Sequence, residues 1–155
     1  EIKCMKIQKK IYDKVKKLLP ILCVDCLVIR KNKCLLLHRL NHPAKNKWWF
    51  PGGRVFKNEL IKDAAERKIS SETNLDAKFK KVISIEETIF SSKKNMNDNI
   101  HTVNVCCLLV SKNINNIKID SDHDKYLWVD IYKAKNLSLD SAVMKPLLKV
   151  LKQKY

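Results

Sequence analysis

Apolar residues near the start of the chain recur at helical spacing. Between residues 5 and 19 they stand among lysines, and the apolar positions are Ile7, Ile11, Val15 and Leu18. Pro20 follows directly, and its ring is incompatible with the interior of a continuing helix. The pattern therefore predicts a short amphipathic helix over residues 5–19.

Longer apolar runs after this helix are typical of β-strands. The predicted strands cover residues 21–30, 34–39, 78–90, 100–110 and 126–129. Polar segments separate them, and we expect a hairpin turn at residues 31–33 and a loop at residues 91–99. A last helix is predicted over residues 141–154.

The only two glycines of the protein, Gly52 and Gly53, adjoin each other. Glycine serves where the backbone adopts positive φ or approaches a ligand closely, so this pair marks a special turn. A helical pattern follows, with Asn58 as the expected N-terminal cap. Its buried side is expected to consist of Leu60, Ala64, Ala65 and Ile69. These residues predict a loop–helix unit over residues 52–75.

The size of the chain suits one hydrophobic core. With 155 residues, of which 45% are hydrophobic, we expect a single domain over residues 1–155. No apolar run approaches the roughly 20 residues that span a bilayer, and the charged N-terminus lacks the apolar core of a signal peptide. A cytoplasmic protein with no membrane partner is expected.

The formal net charge of +16 is compatible with binding to nucleic acid. The lysines are spread along the whole chain, however, without a block of about five like charges, which favours a solvated surface. Arginine is distributed differently, because Arg39, Arg54 and Arg67 flank or lie within the loop–helix unit. A planar guanidinium binds phosphate in a bidentate manner, so this placement favours a phosphate site.

The apolar run at 21–30 contains three residues whose side chains could bind a metal or take part in catalysis. Cys23 and Cys26 form a C-x-x-C pair, but a strand would point them to opposite faces, so buried reduced thiols are expected rather than a metal site. Asp25 is unusual there, since an unpaired buried carboxylate is costly. It is expected to meet a cation or to lie at a pocket, and it is a candidate catalytic group.

The loop–helix unit resembles the sequence box of the Nudix family, G-x5-E-x7-R-E-U-x-E-E-x-G-U, in which U is a bulky aliphatic residue. Starting at Gly53, the matching residues are Glu59, Arg67, Ile69, Glu72 and Leu75. The departures are Lys68 and Ser71 in place of glutamates and Asn74 in place of glycine. The resemblance implies an α/β Nudix fold, a mixed β-sheet sandwiched between helices.

Lys68 bears on the kind of Nudix chemistry. In ordinary Nudix pyrophosphatases the box glutamates bind several divalent ions and help to activate water. Lys68 on the metal-facing side argues against such a multi-metal site. One subfamily tolerates this loss, the GDP-mannose mannosyl hydrolases, and the chain is similar to it over nearly its whole length. The similar segments are residues 11–20, 24–28, 36–44 and 51–55 with Trp48, and residues 122–124 before Tyr126 and Trp128.

The subfamily resemblance implies an enzyme that hydrolyses a nucleotide sugar, GDP-mannose above all, to GDP and mannose. Attack occurs at the sugar carbon, with inversion, and one Mg²⁺ is used, for which Mn²⁺ can substitute. The implied metal ligands are Glu72, Asp122 and a backbone carbonyl of the turn at Gly52 and Gly53. The implied general base is His123.

Further roles follow from the same resemblance. Arg39 and Arg54 would hold or neutralise phosphate, and Tyr12 would lie against the guanine. Arg67 and Glu59 would form a structural pair that braces the loop. The resemblance also implies a homodimer with the N-terminal helix near its interface.

Structural alternatives exist for several of these residues. His123 could be an ordinary histidine of a surface loop, and Tyr12 could simply pack its helix. The aromatic residues 48–50 are expected to fill the core rather than to stack on a base. Asn104 stands where the subfamily has an aromatic hydroxyl, which leaves the identity of the sugar open.

Two other functions stay open. A conventional Nudix pyrophosphohydrolase would cut between the phosphates of a nucleoside diphosphate derivative. A catalytically weak binder of nucleotides or RNA would account for the broken box and the charge of +16.

Overall fold

A computed structural model of the chain describes residues 7–91, 99–112 and 115–152. The helices are α1 (Lys9–Leu18), α2 (Ile61–Thr73) and α3 (Ser141–Lys152). The strands are β1 (Ile21–Arg30), β2 (Lys33–Arg39), β3 (Trp48–Trp49), β4 (Gly52–Arg54), β5 (Ala77–Phe90), β6 (Ile100–Ser111) and β7 (His123–Asp130). A short 3-10 turn, Ala134–Asn136, precedes α3.

The strands form one mixed sheet with β1 at its centre. The order is β3-β2-β1-β6-β5, while β4 pairs with β1 and β7 pairs with β2. β1 and β6 run parallel over residues 21–28 of β1, and the other pairs are antiparallel. This arrangement leaves both faces of β1 to be covered by helices.

Side chains of β1 point alternately into two cores. Val24, Cys26 and Val28 share one cluster with the apolar side of α2. Leu27 and Ile29 share the other cluster with the apolar side of α3. Successive residues of a strand point to opposite faces, so a nearly continuous apolar run is buried on both sides. The expected sandwich of a mixed sheet between helices is confirmed.

Each predicted helix and strand occurs, with differences at its ends, and the structure adds two short strands, β3 and β4, that the sequence did not predict. The hairpin turn holds Lys31 and Asn32 at φ values of 46° and 62°, the twist that a tight hairpin needs. β7 begins earlier than predicted, at His123, because this residue pairs across from Arg39 of β2. Residues 5 and 6, 92–98 and 153–154 of predicted elements lie outside the described residues.

Asn58 does not cap α2, contrary to the sequence prediction. The helix begins at Ile61, and its N-cap residue is Leu60, whose side chain makes no capping hydrogen bond. Leu60 is 61% exposed, so it does not belong to the buried side of the helix, where the sequence placed it. Asn58 instead adopts the left-handed region, with φ of 64°, which asparagine tolerates well. The turn before the helix requires this conformation, and there the Phe56 N–H donates to Glu59 Oε2 at 2.9 Å.

Among the described residues, the apolar side of the N-terminal helix is largely exposed. Ile11 and Leu18 of α1 are 52% and 78% exposed, and the helix contains no buried residue. The amphipathic pattern thus forms a helix without burying it in the core. Among the described helices, none combines the length and apolar character that crossing a membrane requires.

The cysteines of the described residues are buried thiols, as expected. They are Cys23, Cys26, Cys34, Cys106 and Cys107. Burial raises the pKa of Cys23 to about 12, so this thiol stays protonated at neutral pH. Cys4 lies outside the described residues.

Candidate active site

A cleft of about 400 Å³ opens among α1, β1, α2 and the first residues of β6 and β7. Nine residues for which the sequence analysis predicted a binding or catalytic role line this cleft. They are Tyr12, Asp25, Arg39, Gly52, Gly53, Arg54, Glu72, Asp122 and His123. Glu59 and Arg67, expected to be structural, do not line it. The structure therefore gathers the expected contact residues and separates them from the expected brace.

The glycine pair forms a wall of the cleft against the central strand. β4 pairs with β1 so that Gly52 lies opposite Asp25 and Gly53 opposite Val24. A Cβ atom added to Gly52 would lie 2.2 Å from the carbonyl oxygen of Val24, closer than any packed side chain allows. Gly53 has φ of 149°, which side chains rarely adopt. Both positions therefore require glycine.

Glu72 reaches the cleft from the last turn of α2. Its side chain is 7% exposed, and Oε2 accepts a hydrogen bond from the Gly52 N–H at 2.9 Å. At the same end of the helix, the Asp120 N–H donates to the Glu72 carbonyl at 3.2 Å, and the Lys118 N–H donates to the Thr73 carbonyl at 3.0 Å. These bonds hold the segment before β7 beside the end of α2.

His123 is buried at the cleft, with only 3% of its side chain exposed. Its Nδ1 lies 2.6 Å from Asp120 Oδ1. A carboxylate at Nδ1 favours the proton on that nitrogen and leaves Nε2 as the basic one. His123 is thus not an exposed loop histidine. The sequence interpretation missed Asp120, whose only signal is an aspartate three residues before a histidine.

Asp25 is buried at the cleft and belongs to a short polar chain. Its Oδ2 accepts a hydrogen bond from Asn104 Nδ2 at 3.0 Å, and Thr102 Oγ1 donates to Asn104 Oδ1 at 2.6 Å. Burial raises the pKa of Asp25 to about 7, although the Asn104 hydrogen bond and the charge of Arg39 act in the opposite direction. Asn104 therefore positions a carboxyl group that lies, as expected, at a pocket.

Two arginines bring positive charge to the cleft. The Arg54 guanidinium lies 3.9 Å from the centroid of the Tyr12 ring, a cation–π contact that holds both side chains at the cleft. Arg39 Nε donates to the carbonyl oxygen of Pro43 at 3.0 Å, which orients its guanidinium. Fixed guanidinium groups suit a diphosphate, because phosphate oxygens accept bidentate hydrogen bonds.

Asp122 lies at the exposed rim of the cleft. Its Oδ1 accepts a hydrogen bond from Asn41 Nδ2 at 2.6 Å, and its N–H donates to Asp120 Oδ1 at 3.1 Å. Asp120 therefore connects the expected metal ligand with the expected base, His123.

Arg67 and Glu59 form a bidentate pair beside the cleft. Arg67 Nε lies 2.5 Å from Glu59 Oε1, and its NH2 nitrogen donates to Glu59 Oε2 at 2.9 Å and to the Arg54 carbonyl at 3.0 Å. The guanidinium also lies over the Phe56 ring, 4.2 Å from its centroid. These contacts tie α2 to the end of β4 and to the turn that follows it, which is the geometry of a structural brace.

The Glu59→Gln variant is expected to lose roughly 1–3 kcal/mol of unfolding free energy at pH 7, the typical size of a hydrogen-bonded charged contact. The Arg67 hydrogen bond is the main interaction that lowers the pKa of Glu59 below its ordinary 4.5. The unfolded state therefore binds more protons, and this stabilisation is complete above pH 4.5 and lost as pH falls through the folded-state pKa.

Urea unfolding at pH 7 and pH 3 measures this difference between the variant and the wild type. The exposed Glu87 serves as the control, since Glu87→Gln should change stability by less than about 0.5 kcal/mol. A loss in Glu59→Gln that is as large at pH 3 as at pH 7 would contradict the charged brace.

The three departures from the box have distinct structural consequences. Lys68 points into the cleft, where its ammonium group is paired with Glu72 Oε1. Ser71 is exposed and its hydroxyl donates to the Lys68 carbonyl at 3.1 Å. Asn74 ends α2 in the left-handed region, with φ of 59°, which glycine or asparagine adopts most readily. Of the three residues, only Lys68 lines the cleft.

The cleft contains oxygen donors of the chemical kind that Mg²⁺ prefers. The Glu72 carboxylate, the Asp122 carboxylate and the carbonyls of the Gly52–Gly53 turn are hard ligands of the kind that Mg²⁺ prefers, with phosphate oxygens and water to complete its shell. Within residues 7–91, 99–112 and 115–152, no three His, Cys, Asp or Glu side chains are arranged to hold a metal by themselves.

Comparison with known families and proteins shows a family and two partial relatives. A sequence model of the NUDIX domain matches residues 19–151. The low-salt glycan biosynthesis protein Agl8 of Haloferax volcanii is 40% identical over 57 residues, which are 37% of this chain and 36% of that protein. The ADP-ribose pyrophosphatase of Methanocaldococcus jannaschii is 36% identical over 66 residues, which are 43% of this chain and 39% of that protein.

These two matches span less than half the length of each curated relative. Among solved structures, the MutT protein of Methanosarcina mazei Go1 superposes with a TM-score of 0.68 at 20% identity, covering 88% of this chain and 97% of that one. At this level of identity the likeness shows a shared fold.

Proposed function

Because the chain belongs to the NUDIX domain family, we propose that it is a divalent-metal-dependent hydrolase of a nucleoside diphosphate sugar. The proposed reaction converts GDP-mannose and water to GDP and mannose by attack at the sugar carbon. We thus propose both the substrate and the bond that is cut, since a Nudix fold also supports cleavage between phosphates.

The observation that carries the proposal is the buried His123–Asp120 pair in the same cleft as Glu72, Arg39 and Arg54. A carboxylate at Nδ1 leaves Nε2 able to accept a proton from water. A multi-ion pyrophosphatase site would need carboxylates where this chain has Lys68 and Ser71. A histidine base with few metal ligands fits attack on carbon better than attack on phosphorus.

Substrate recognition is assigned to groups that the cleft holds in fixed positions. Arg39 and Arg54 bind the diphosphate, and the Tyr12 ring lies beside the base. Asp25, held by Asn104, offers a carboxyl group to a sugar hydroxyl. When Mg²⁺ is bound by Glu72, Asp122 and a carbonyl of the Gly52–Gly53 turn, it supplies positive charge that stabilises the leaving diphosphate.

In the proposed step, His123 removes a proton from a water molecule. The water oxygen forms a bond to the anomeric carbon on the face opposite the diphosphate, and the bond from that carbon to the diphosphate oxygen breaks. The electron pair of this bond leaves with the diphosphate, where Arg39 and Arg54 neutralise its charge.

The two relatives support different substrates. A protein named for glycan biosynthesis fits a chain that handles activated sugars. A relative named ADP-ribose pyrophosphatase supports a second candidate function, in which the chain cuts between the two phosphates of ADP-ribose or a similar compound.

Product analysis in ¹⁸O-labelled water distinguishes these functions. GDP-mannose with Mg²⁺ is expected to yield GDP without the label and free mannose, as followed by chromatography, ³¹P NMR and mass spectrometry. ADP-ribose, supplied in a parallel reaction, is expected to react more slowly.

GMP and mannose 1-phosphate, with the label on one phosphate, would instead establish pyrophosphate cleavage. Faster conversion of ADP-ribose to AMP and ribose 5-phosphate would favour the second candidate substrate.

A further inference from the structure

Lys68 lies between the groups to which cation binding is assigned. It precedes Glu72 by one helical turn, and its ammonium group pairs with Glu72 Oε1. A Cβ atom added to Gly53 would lie 2.9 Å from Lys68 Cε and 3.3 Å from Nζ. The lysine side chain therefore passes over the bare backbone of Gly53 and ends at the carboxylate of Glu72.

Both carboxylate oxygens of Glu72 have protein donors in this arrangement. Oε2 accepts from the Gly52 N–H at 2.9 Å, and Oε1 is paired with Lys68. Both side chains of the ion pair are largely shielded from solvent, because Lys68 and Glu72 are only 20% and 7% exposed. A divalent ion that binds Glu72 must therefore displace the ammonium group or share one carboxylate with it.

Sharing is unfavourable on electrostatic grounds. Two cations beside one partly buried carboxylate repel each other in surroundings that screen charge less than bulk water does. The ammonium group already neutralises the carboxylate, so the site attracts a free cation less than an unpaired glutamate would.

We infer that Lys68 is an internal competitor of the divalent cation, and that metal binding at Glu72 requires release of the Lys68 ammonium group. The inference rests on the proposed function in taking Glu72 as the cation ligand. Once released, the ammonium group stays at the cleft with Arg39 and Arg54, where the substrate diphosphate provides it with a new partner. Cation and substrate should therefore bind more tightly together than either binds alone.

The test is titration of the nucleotide-free protein with Mn²⁺ alone, with free Mn²⁺ measured by electron paramagnetic resonance. Lys68→Met removes the charge and keeps a flexible, helix-compatible side chain. This variant is expected to bind Mn²⁺ at least about tenfold more tightly than the wild type, because the competing charge is gone. Lys68→Arg, which keeps the charge, is expected to remain as weak as the wild type.

Lys62→Met is the matched control for loss of one positive charge. Lys62 is exposed on the same helix and does not line the cleft, so its variant should stay within about twofold of wild-type affinity, since exposed charges are screened by salt. Thermal unfolding of all three variants verifies that they are folded.

Unchanged or weaker Mn²⁺ binding by folded Lys68→Met would overturn the inference, as would equal tightening in Lys68→Arg. The titration contains no nucleotide, so its outcome is independent of product analysis. Tighter Mn²⁺ binding by Lys68→Met, together with no hydrolysis of GDP-mannose by the wild type, would sustain the inference and refute the proposed reaction.

Discussion

The His123→Gln variant is expected to hydrolyse GDP-mannose with a kcat lower by about 10²–10⁴-fold, the usual contribution of a general base. Glutamine retains hydrogen-bonding capacity toward Asp120 but cannot take a proton from water. The affinity for Mn²⁺ should change little, because the metal is assigned to Glu72, Asp122 and a backbone carbonyl. Steady-state kinetics and Mn²⁺ titration of the same preparation measure the two quantities.

His38 provides a matched control for this variant. Its Nδ1 lies 2.6 Å from Asp124 Oδ1, the same kind of contact as in the His123–Asp120 pair, but His38 does not line the cleft. His38→Gln should therefore keep kcat within about twofold of the wild type, as expected for a change away from the reacting groups. If His123→Gln kept the wild-type kcat, His123 would have no role in the chemical step. The base would then have to be sought among the other groups that line the cleft, with Asp25 as the described candidate.

The Glu72→Gln variant is expected to lose activity by roughly 10²-fold or more, on the scale seen when fixed charge stabilisation is removed from an active site. A neutral amide oxygen replaces the carboxylate that is assigned to the metal, so the Mg²⁺ concentration needed for half-maximal rate should rise as well. The change in Mg²⁺ dependence separates this variant from His123→Gln, which should lower the rate at every Mg²⁺ concentration.

Glu66→Gln on the same helix is the control for Glu72→Gln. Glu66 accepts a hydrogen bond from the Phe79 N–H at 3.0 Å and lies 3.4 Å from the ammonium group of Lys78, away from the cleft. This variant should be slightly less stable but should keep the wild-type dependence on Mg²⁺. A Glu72→Gln enzyme whose activity and Mg²⁺ dependence equal those of the wild type would exclude Glu72 as a metal ligand.

Under the proposed function, one fold would serve two kinds of cleavage, at the sugar carbon and between phosphates. In a Nudix helix with a full set of glutamates, the carboxylates would bind several divalent ions, and these ions would contact the phosphate oxygens. Here the corresponding helix carries Lys68 toward Glu72, while the His123–Asp120 pair lies at the start of β7. Under the proposed function, the loss of metal ligands from α2 and the presence of a base at the start of β7 would together move the attack from phosphorus to carbon.

The chain's periodicity determined the elements of secondary structure and their faces. The apolar run at 21–30 could be read as a strand buried on both sides, and the positions Ala64, Ala65 and Ile69 as one side of a helix, because each pattern is local. The motif from Gly53 to Leu75 identified the loop–helix unit, because its spacing is fixed within a single segment. Asn58 was misjudged as a cap since a capping residue differs from a turn residue only in backbone conformation.

Contacts between distant segments were decided by the tertiary structure alone. The Asn104 bond to Asp25 joins residues 79 apart in sequence, and the Glu72 carbonyl meets Asp120 only because the segment before β7 packs on the end of α2. Asn104 stood out in the sequence only as a mismatch to the subfamily, and Asp120 only by its position three residues before His123. Neither pattern predicted the contacts that these residues make. Helical spacing is a local property that can be seen in the sequence. The cleft that Lys68 and Glu72 enter, by contrast, depends on how the sheet packs against α2.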